Sequence, residues 1–186
     1  MKRYLLLLII IAASFFTGCA TQQSKSAKPL KPVTGGPLDL RRFENITVLS
    51  FTDLSHNSDG ILAGEQLAND VGERLQLDFP AVFTTTYVNK QQGQSNHVIL
   101  TGTITTYRPG DAMARAMLIG TGSAGLEGTV IFRDGDNGQE LMTAKFDKLW
   151  AWGGALGASK GITDMMSETA ASIAVTAAKA KGWKPK

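Results

Sequence analysis

The sequence predicts an α+β domain with a mixed or antiparallel sheet of four to five strands and two helices on one face of that sheet. Short runs of β-branched and aromatic residues recur along the chain, separated by polar turns. Two longer stretches repeat apolar residues every three or four positions, which is the spacing of an amphipathic helix. The resulting order, β-α-β-β-β-β-α, favours helices that cover one side of the sheet.

The chain begins with a segment that predicts a cleaved signal peptide over residues 1–18. Two basic residues precede an apolar run over residues 4–16, which is shorter than the about 20 residues that span a bilayer. The small residues Thr17 and Gly18 then lead directly into Cys19, the only cysteine of the chain. A plain secretory signal followed by a chance cysteine is the alternative interpretation.

The residues Thr17-Gly18-Cys19 resemble the lipobox of bacterial lipoproteins, although Phe16 stands where that family usually has Leu. The resemblance implies palmitate-type acylation: diacylglycerol on the Cys19 sulfur, cleavage before Cys19, and acylation of the new amino terminus. Two or three acyl chains anchor a protein stably in a membrane. Ala20 follows in place of the Asp that retains enterobacterial lipoproteins at the inner membrane. The resemblance therefore favours the outer membrane, with the domain facing the periplasm of the cell envelope.

Residues 19–38 are interpreted as the lipidated cysteine and a flexible tether, because they are polar, rich in Pro and Gly, and lack apolar periodicity. Fully extended, residues 20–37 would reach about 60 Å. Residues 39–182 then form a single α+β domain, and residues 183–186 form a basic tail.

The net charge of +3 hides an acidic domain. Nine of the 19 basic residues lie in the signal, the tether or the last eight residues, which leaves ten against all 16 acidic residues in between. A nucleic-acid partner is therefore not expected, because such proteins concentrate basic residues on the folded surface. With Cys19 acylated, no thiol remains for a disulfide or a metal.

The first half of the domain predicts a buried strand, a loop and a helix. Asn45–Phe51 is rich in β-branched and aromatic residues, and residues 52–60 are rich in turn formers. Apolar residues at helical spacing follow from Ile61 until Pro80 ends the helix. Small residues on this helix would let it lie close to the sheet: Gly64, Ala68 and Gly72.

The second half predicts four strands and a closing helix. The strands are Ala81–Val88, His97–Tyr107, Leu126–Arg133 and Leu141–Trp150, and the helix is Thr163–Lys181. The turn over Asp134–Gly138 indicates a hairpin between the last two strands.

The strand over His97–Tyr107 has one face that is more apolar and is predicted to point toward the core. That face carries Val98, Leu100, Ile104 and Thr106. The other face carries Ile99, Thr101, Thr103, Thr105 and Tyr107.

The stretch after Ile104 is similar to a bacterial lipoprotein family known as domain of unknown function 4410 (DUF4410), and the similarity covers Asn45 to Ala180. The shared features are Pro109-Gly110, Ala114-Arg115-Ala116, the glycine run Gly120–Gly125, the strand Leu126–Arg133 and the hairpin Asp134–Gly138. The family has an unknown function, so the resemblance implies no functional residue.

Three glycine-rich or acidic motifs resemble binding loops, but each lacks an essential part. Gly120–Gly125 fits G-x-G-x-x-G, yet a strand follows it where a dinucleotide site needs a helix. Gly153–Gly161 lacks the glycine that precedes the lysine of a phosphate loop. Asp134–Gly138 begins like a calcium loop, but Lys145 occupies the position of its last acid. No cofactor and no metal are therefore expected.

The loop after the first strand holds the only set of catalytic residue types close together. Asp53, His56 and Asp59, with Ser55 or Ser58, would supply a metal or hydrolytic site. One short loop seldom provides nucleophile, base, orienting group and oxyanion hole together. The loop is therefore interpreted as solvated, no catalytic residue is assigned and no enzyme activity is expected. His97 precedes a strand and has no evident partner.

Residues 112–119 (AMARAMLI) form an apolar segment between strands, flanked by glycines. Such a segment would dock onto a protein partner or lipid, or fold back as a lid over the uncovered face of the sheet. We expect a non-catalytic, protein-binding or envelope-assembly factor; the alternative is a carrier of lipid or another apolar ligand in a groove beside this segment. The residues assigned to the surface are Met113, Arg115, Met117, Leu118, Ile119, Trp150 and Trp152.

Overall fold

The computed structural model describes residues 26–57, 60–90, 95–111, 122–150 and 160–185. Within these ranges the chain forms seven strands and two helices of 19 residues each. In chain order they are β1 (Pro32–Thr34), β2 (Asn45–Val48), β3 (Thr52–Asp53), α1 (Gly60–Asp78), β4 (Thr85–Val88), β5 (His97–Arg108), β6 (Ala124–Asp134), β7 (Glu140–Trp150) and α2 (Ile162–Ala180).

The seven strands form one open, mixed sheet. Its order is β1-β7-β6-β5-β2-β4, and the short β3 pairs separately with β5. Strands β5, β6 and β7 are antiparallel neighbours, whereas β2 runs parallel to both β4 and β5. Parallel neighbours need a crossover connection, which α1 supplies between β2 and β4.

The predicted α+β class, mixed sheet and two helices are confirmed, but the predicted strand count and order are wrong. The strand predicted over Asn45–Phe51 ends at Val48, and the Phe51 N–H donates to the Gly64 carbonyl at 3.2 Å instead of to a strand. Phe51 is then 3% exposed beneath α1. One additional strand, β3, lies at the start of the predicted loop over residues 52–60. The other additional strand, β1, lies within the predicted tether.

Residues 26–38 lie against the domain. Strand β1 pairs with β7, and the Leu30 N–H donates to Thr176 Oγ1 in α2 at 2.8 Å. Three apolar side chains of this stretch pack against the core: Ala27, Leu30 and Leu38. The stretch is ordered because these few apolar residues and its backbone both find partners. Residues 19–25 lie outside the described ranges.

One face of the sheet is buried under both helices. The even-numbered residues are buried over 98–104 in β5, over all of β6 and over 142–146 in β7, and α1 and α2 contact each other as well as the sheet. The opposite side, which we call the outer face, carries half-buried or exposed residues and is rich in threonine. Its members include Ile99, Thr101, Thr103, Thr129, Ile131, Thr143 and Lys145.

The predicted faces of β5 hold as far as Ile104 and then reverse. Thr105 is a β-bulge, since Ile104 pairs with Gly128 and Thr106 already pairs with Glu127. Thr106 therefore joins the outer face and donates to Glu127 Oε2 at 3.3 Å. Tyr107, which was predicted to face outward, packs against the core instead.

Helix α1 lies as close to the sheet as its small residues predict. A Cβ at Gly64 would stand 1.9 Å from the carbonyl oxygen of Phe51, and a Cβ at Gly72 would stand 2.2 Å from Cγ2 of Val88. Ala68 is fully buried between them. Only glycine fits at the first position, because the neighbouring atom belongs to the backbone.

The two ends of the described chain meet in the same core. The Leu40 N–H donates to the Ala180 carbonyl at 3.0 Å, and the ring of Trp183 packs edge-on against Phe79 with centroids 5.0 Å apart. Trp183, the first residue of the predicted basic tail, thus contributes to packing. Neither α1 nor α2 is both long enough and apolar enough for a membrane span, and the described ranges hold no other such helix.

Candidate functional site

The candidate surface lies at one end of the sheet, which we call the loop end. There β5 finishes at Arg108, β6 begins at Ala124 and β7 finishes at Trp150. Arg108 pairs with Gly125, and Ala124 pairs with Trp150. The connections over residues 112–121 and 151–159 therefore leave the sheet from neighbouring strands at the same end.

Polar contacts close the base of the first connection. The Asp111 N–H donates to the Gly122 carbonyl at 2.9 Å. Beside it, Arg108 Nη1 donates to Ser123 Oγ at 3.2 Å. These two contacts hold the residues that flank positions 112–121 together at the loop end.

Trp150 and Lys160 form the base of the second connection. Trp150 is half-buried against the core, and Lys160 Nζ lies 5.0 Å from its ring centroid. The same amine is 2.5 Å from Glu168 Oε1 in α2. A cation over an indole ring is attracted to its π face. Trp150 is therefore a partly covered wall of the loop end rather than a freely exposed side chain.

The other predicted surface and lipidation residues lie outside the described ranges, so their positions stay predictions. These are Cys19, Met113, Arg115, Met117, Leu118, Ile119 and Trp152.

Two leucines that were not among the predicted surface residues are exposed, one after β3 and one next to the end of β7. Leu54 is 48% exposed and Leu149 is 61% exposed. Leu54 follows β3, and its N–H donates to the Ile104 carbonyl at 2.8 Å. Leu149 pairs with Gly125. The sequence shows that Leu149 alternates with apolar residues of its strand. It does not show which face of the sheet the helices leave uncovered.

The polar loop after β3 is held by hydrogen bonds between side chains and the backbone. Asp53 Oδ1 accepts the Ser55 N–H at 3.0 Å, and Asn57 Nδ2 donates to the Tyr107 carbonyl at 3.1 Å. The Asp53 carboxylate thus accepts a hydrogen bond from the backbone two residues later, as in an Asx turn. Ser58 and Asp59 lie outside the described ranges. No group of three His, Cys, Asp or Glu side chains suited to a metal occurs among the residues that the structure places.

His97 packs against the turn between β6 and β7, at the opposite end of the sheet. It is 8% exposed, and a Cβ on Gly135 would lie 2.1 Å from its Nε2. Its Nδ1 is 3.8 Å from Asp136 Oδ1. The neighbouring Asp134 is buried and pairs with Arg42. His97 therefore contacts the turn between β6 and β7, and the sequence did not predict this contact.

An acidic cleft of about 280 Å³ separates α1 from α2. Asp70, Glu73 and Asp78 line it together with Arg74, whose Nη2 donates to Ser167 Oγ at 3.0 Å. Burial, and to a smaller extent the charge of Glu73, raises the pKa of Asp70, while Arg74 opposes the shift. The cleft lies between the two helices.

A second concavity of about 530 Å³ lies between residues 26–31, β7 and α2. We call it the tether groove. Four lysines line it: Lys28, Lys31, Lys145 and Lys148. The groove was not predicted because residues 19–38 were interpreted as a flexible tether. A signal for it was the apolar Leu30 within a polar stretch.

The fold is similar to two crystal structures of PelC from Paraburkholderia phytofirmans, both of which are dodecamers. One, of a variant, has a TM-score of 0.57 and 15% identity over 80% of this chain and 96% of that chain. The other has a TM-score of 0.54 and 13% identity over 80% of this chain and 95% of that chain. At these identities the likeness shows a shared fold alone.

The sequence matches none of the curated proteins with which it was compared. It does match the sequence model of a family described as a domain of unknown function, over residues 52–154. This match includes the strand ends at the loop end, the whole first connection and the start of the second, and it covers more than half of the 186 residues. The chain therefore belongs to the DUF4410 family.

Proposed function

We propose that the protein is a lipoprotein of the outer membrane, anchored through acylated Cys19, whose domain faces the periplasm and binds a protein partner without catalysis. The observation that carries the proposal is the loop end, where two connections leave neighbouring strands beside Leu149, which is 61% exposed. An apolar surface presented on loops by a rigid sheet is typical of a binding site. The lipobox supplies the membrane location.

The anchor is tested by Cys19→Ser. We expect the wild-type protein to incorporate labelled palmitate and to fractionate with outer membranes. Cys19→Ser should lose both properties, because no other thiol can carry the diacylglycerol. Thr17→Ser, which keeps a small residue before the cleavage site, serves as the control and should retain both. Unchanged labelling and fractionation in Cys19→Ser would refute the anchor.

The partner surface is tested by photo-crosslinking in cells from single positions between 112 and 119. We expect discrete protein adducts from this segment and none from Lys90, which is exposed at the far edge of the sheet. The PelC structures are dodecamers, so a second copy of this chain is included among the partners. The adduct mass separates a homomeric from a heteromeric contact. Equal crosslinking from Lys90 would contradict the assignment.

The alternative function is a carrier of lipid or another apolar ligand in a groove beside residues 112–119. The half-buried Trp150 favours it, because an indole ring that is only partly covered suits an apolar ligand. Native mass spectrometry of the purified Cys19→Ser protein distinguishes the two functions. Bound lipid that disappears in Met113→Asp/Met117→Asp would favour the carrier. A ligand-free protein with discrete crosslinks would favour the partner-binding protein.

A further inference from the structure

The tether groove lies next to the predicted membrane anchor. Its first lining residue is Ser26, seven positions after Cys19. Seven residues span at most about 25 Å when fully extended. If Cys19 is acylated, the groove is therefore held close to the lipid surface, whereas a tether ordered only from residue 38 would have allowed more than twice that reach.

The lining of the tether groove carries a net positive charge. Lys28, Lys31 and Lys145 are exposed, and none of them forms an ion pair with any residue in the described ranges. The lining includes two acidic residues, Asp147 and Glu168. Glu168 is already paired with Lys160 at 2.5 Å and lies 3.8 Å from Lys148 Nζ. An anion entering the groove would meet a net positive field despite the overall acidity of the domain.

The groove also contains a hydroxyl with unused hydrogen-bonding capacity. Thr169 belongs to the lining, is fully buried, and its Oγ1 has no hydrogen-bond partner in the part of the chain that the structure describes. Its neighbour Ser172 instead donates to the Glu168 carbonyl at 2.9 Å. A buried hydroxyl without a partner is costly, and a phosphate oxygen would relieve that cost by accepting from it.

From these observations we propose that the tether groove binds the phosphate headgroups of anionic lipids in the membrane that holds Cys19. This inference deepens the proposed function and rests on it for the position of the membrane. Lysines near an anionic surface each contribute to membrane binding, and Lys28, Lys31 and Lys145 would act together with Lys148 and the Thr169 hydroxyl. The second contact would fix the orientation of the domain, which a flexible acyl anchor alone does not do.

The test uses the mature chain with Cys19→Ser and vesicles of phosphatidylcholine with or without phosphatidylglycerol. We expect binding only to the anionic vesicles, weakened by salt. In Lys28→Gln/Lys31→Gln/Lys145→Gln the vesicle affinity should fall at least about tenfold. The matched control is Lys90→Gln/Lys179→Gln/Lys184→Gln, which removes the same charge at exposed positions outside the groove lining and should change the affinity less than about twofold.

Three outcomes would overturn the inference. They are no binding to anionic vesicles, an equal loss of vesicle affinity in the two triple variants, or loss of vesicle binding when inorganic phosphate is added at constant ionic strength. The last would assign the groove to free phosphate. Palmitate labelling of the wild-type protein is scored in parallel. A labelled protein that ignores anionic vesicles would refute the groove and leave the anchor intact. A protein that is not labelled by palmitate but binds anionic vesicles through these lysines would refute the anchor and leave the groove intact.

Discussion

Gly64 marks the closest approach of α1 to the sheet. Replacing an interior helical glycine with alanine ordinarily gains about 1 kcal/mol of helix propensity. Here the new methyl group would lie 1.9 Å from the Phe51 carbonyl oxygen, so α1 or the backbone between β2 and β3 must move. We expect Gly64→Ala to lower the free energy of unfolding by about 1–3 kcal/mol in urea titrations, because overpacking outweighs propensity.

Gly72→Ala is the matched control on the same helix. Its methyl group would meet Cγ2 of Val88, a side-chain atom that can rotate away, and not a backbone atom. We expect a change within about 0.5 kcal/mol of zero, since repacking and propensity offset each other. If both variants lose the same stability, the close backbone contact at Gly64 is not the cause.

Two neighbouring arginines make ion pairs of very different burial. Arg42 pairs with Asp134, whose side chain is 4% exposed, whereas Arg41 pairs with Asp39 in solvent. Removing Arg42 leaves a buried carboxylate without its cation, so we expect Arg42→Ala to cost about 1–3 kcal/mol in chemical denaturation. Arg41→Ala should cause no measurable change, because exposed pairs contribute little. A comparable loss in Arg41→Ala would point to lost packing of the loop instead.

The raised pKa of Asp70 predicts a pH-dependent effect on stability. Its raised pKa means that the folded state binds the proton more tightly than the unfolded state does. The stability linked to this group is therefore fully present below the unfolded pKa and is lost as pH rises through the folded pKa. Asp70→Asn replaces the carboxyl with a group that does not ionise, so the variant does not lose this stability as pH rises. We expect a higher urea midpoint than wild type at about pH 7 and an equal midpoint at about pH 3, where both side chains are uncharged.

Among the elements, β1 and the stretch before it show that a polar segment can be held by a few contacts. Leu30 packs against the core, whereas Val33 is 55% exposed only three residues away. We expect Leu30→Asp to cost about 1–3 kcal/mol and to increase amide exchange along the edge of β7. Val33→Asp should stay within about 0.5 kcal/mol of wild type. If Leu30→Asp is equally neutral, residues 26–34 do not stabilise the fold.

The elements differ in how far the sequence predicts them. Both helices follow from apolar periodicity, since residues such as Val71 and Ile173 repeat at the period that a buried stripe requires. The reversal after Ile104 does not follow, because a bulge shifts the register without any local signature at Thr105. Strand β1 escapes prediction for another reason: its hydrogen-bond partners lie in β7, more than one hundred residues along the chain.

The candidate site was predictable only in part, for the same physical reason. Local composition identified the apolar segment at residues 112–119, and the hairpin turn placed β6 beside β7. That Ala124 and Trp150 are neighbours, and that both connections leave one end, depends on the register of three strands. The tether groove depends on three separate elements and on lysines from two of them. No local pattern encodes such a juxtaposition.

At the scale of the whole molecule, the described elements share one core to which both ends of the described part of the chain contribute. Lys181 Nζ donates to the Phe43 carbonyl, and the Leu40 N–H donates to the Ala180 carbonyl at 3.0 Å. These contacts tie the end of α2 to the residues that precede β2. Residues 39–182 were predicted to be a single domain, and such a network predicts that they unfold cooperatively.

This cooperativity can be measured with Trp183 as the only tryptophan, in Trp150→Phe/Trp152→Phe. Trp183 packs against Phe79 at the end of α1, so its fluorescence reports the packing of the carboxyl-terminal end against α1, while far-UV circular dichroism reports all helices and strands. We expect the two urea transitions to coincide, because loss of the shared core removes the packing of every element. Trp183→Ala should shift the whole dichroism transition to lower urea concentration without splitting it. A fluorescence change that precedes the loss of secondary structure would show that the carboxyl-terminal end detaches independently, and the domain would then comprise more than one cooperative unit.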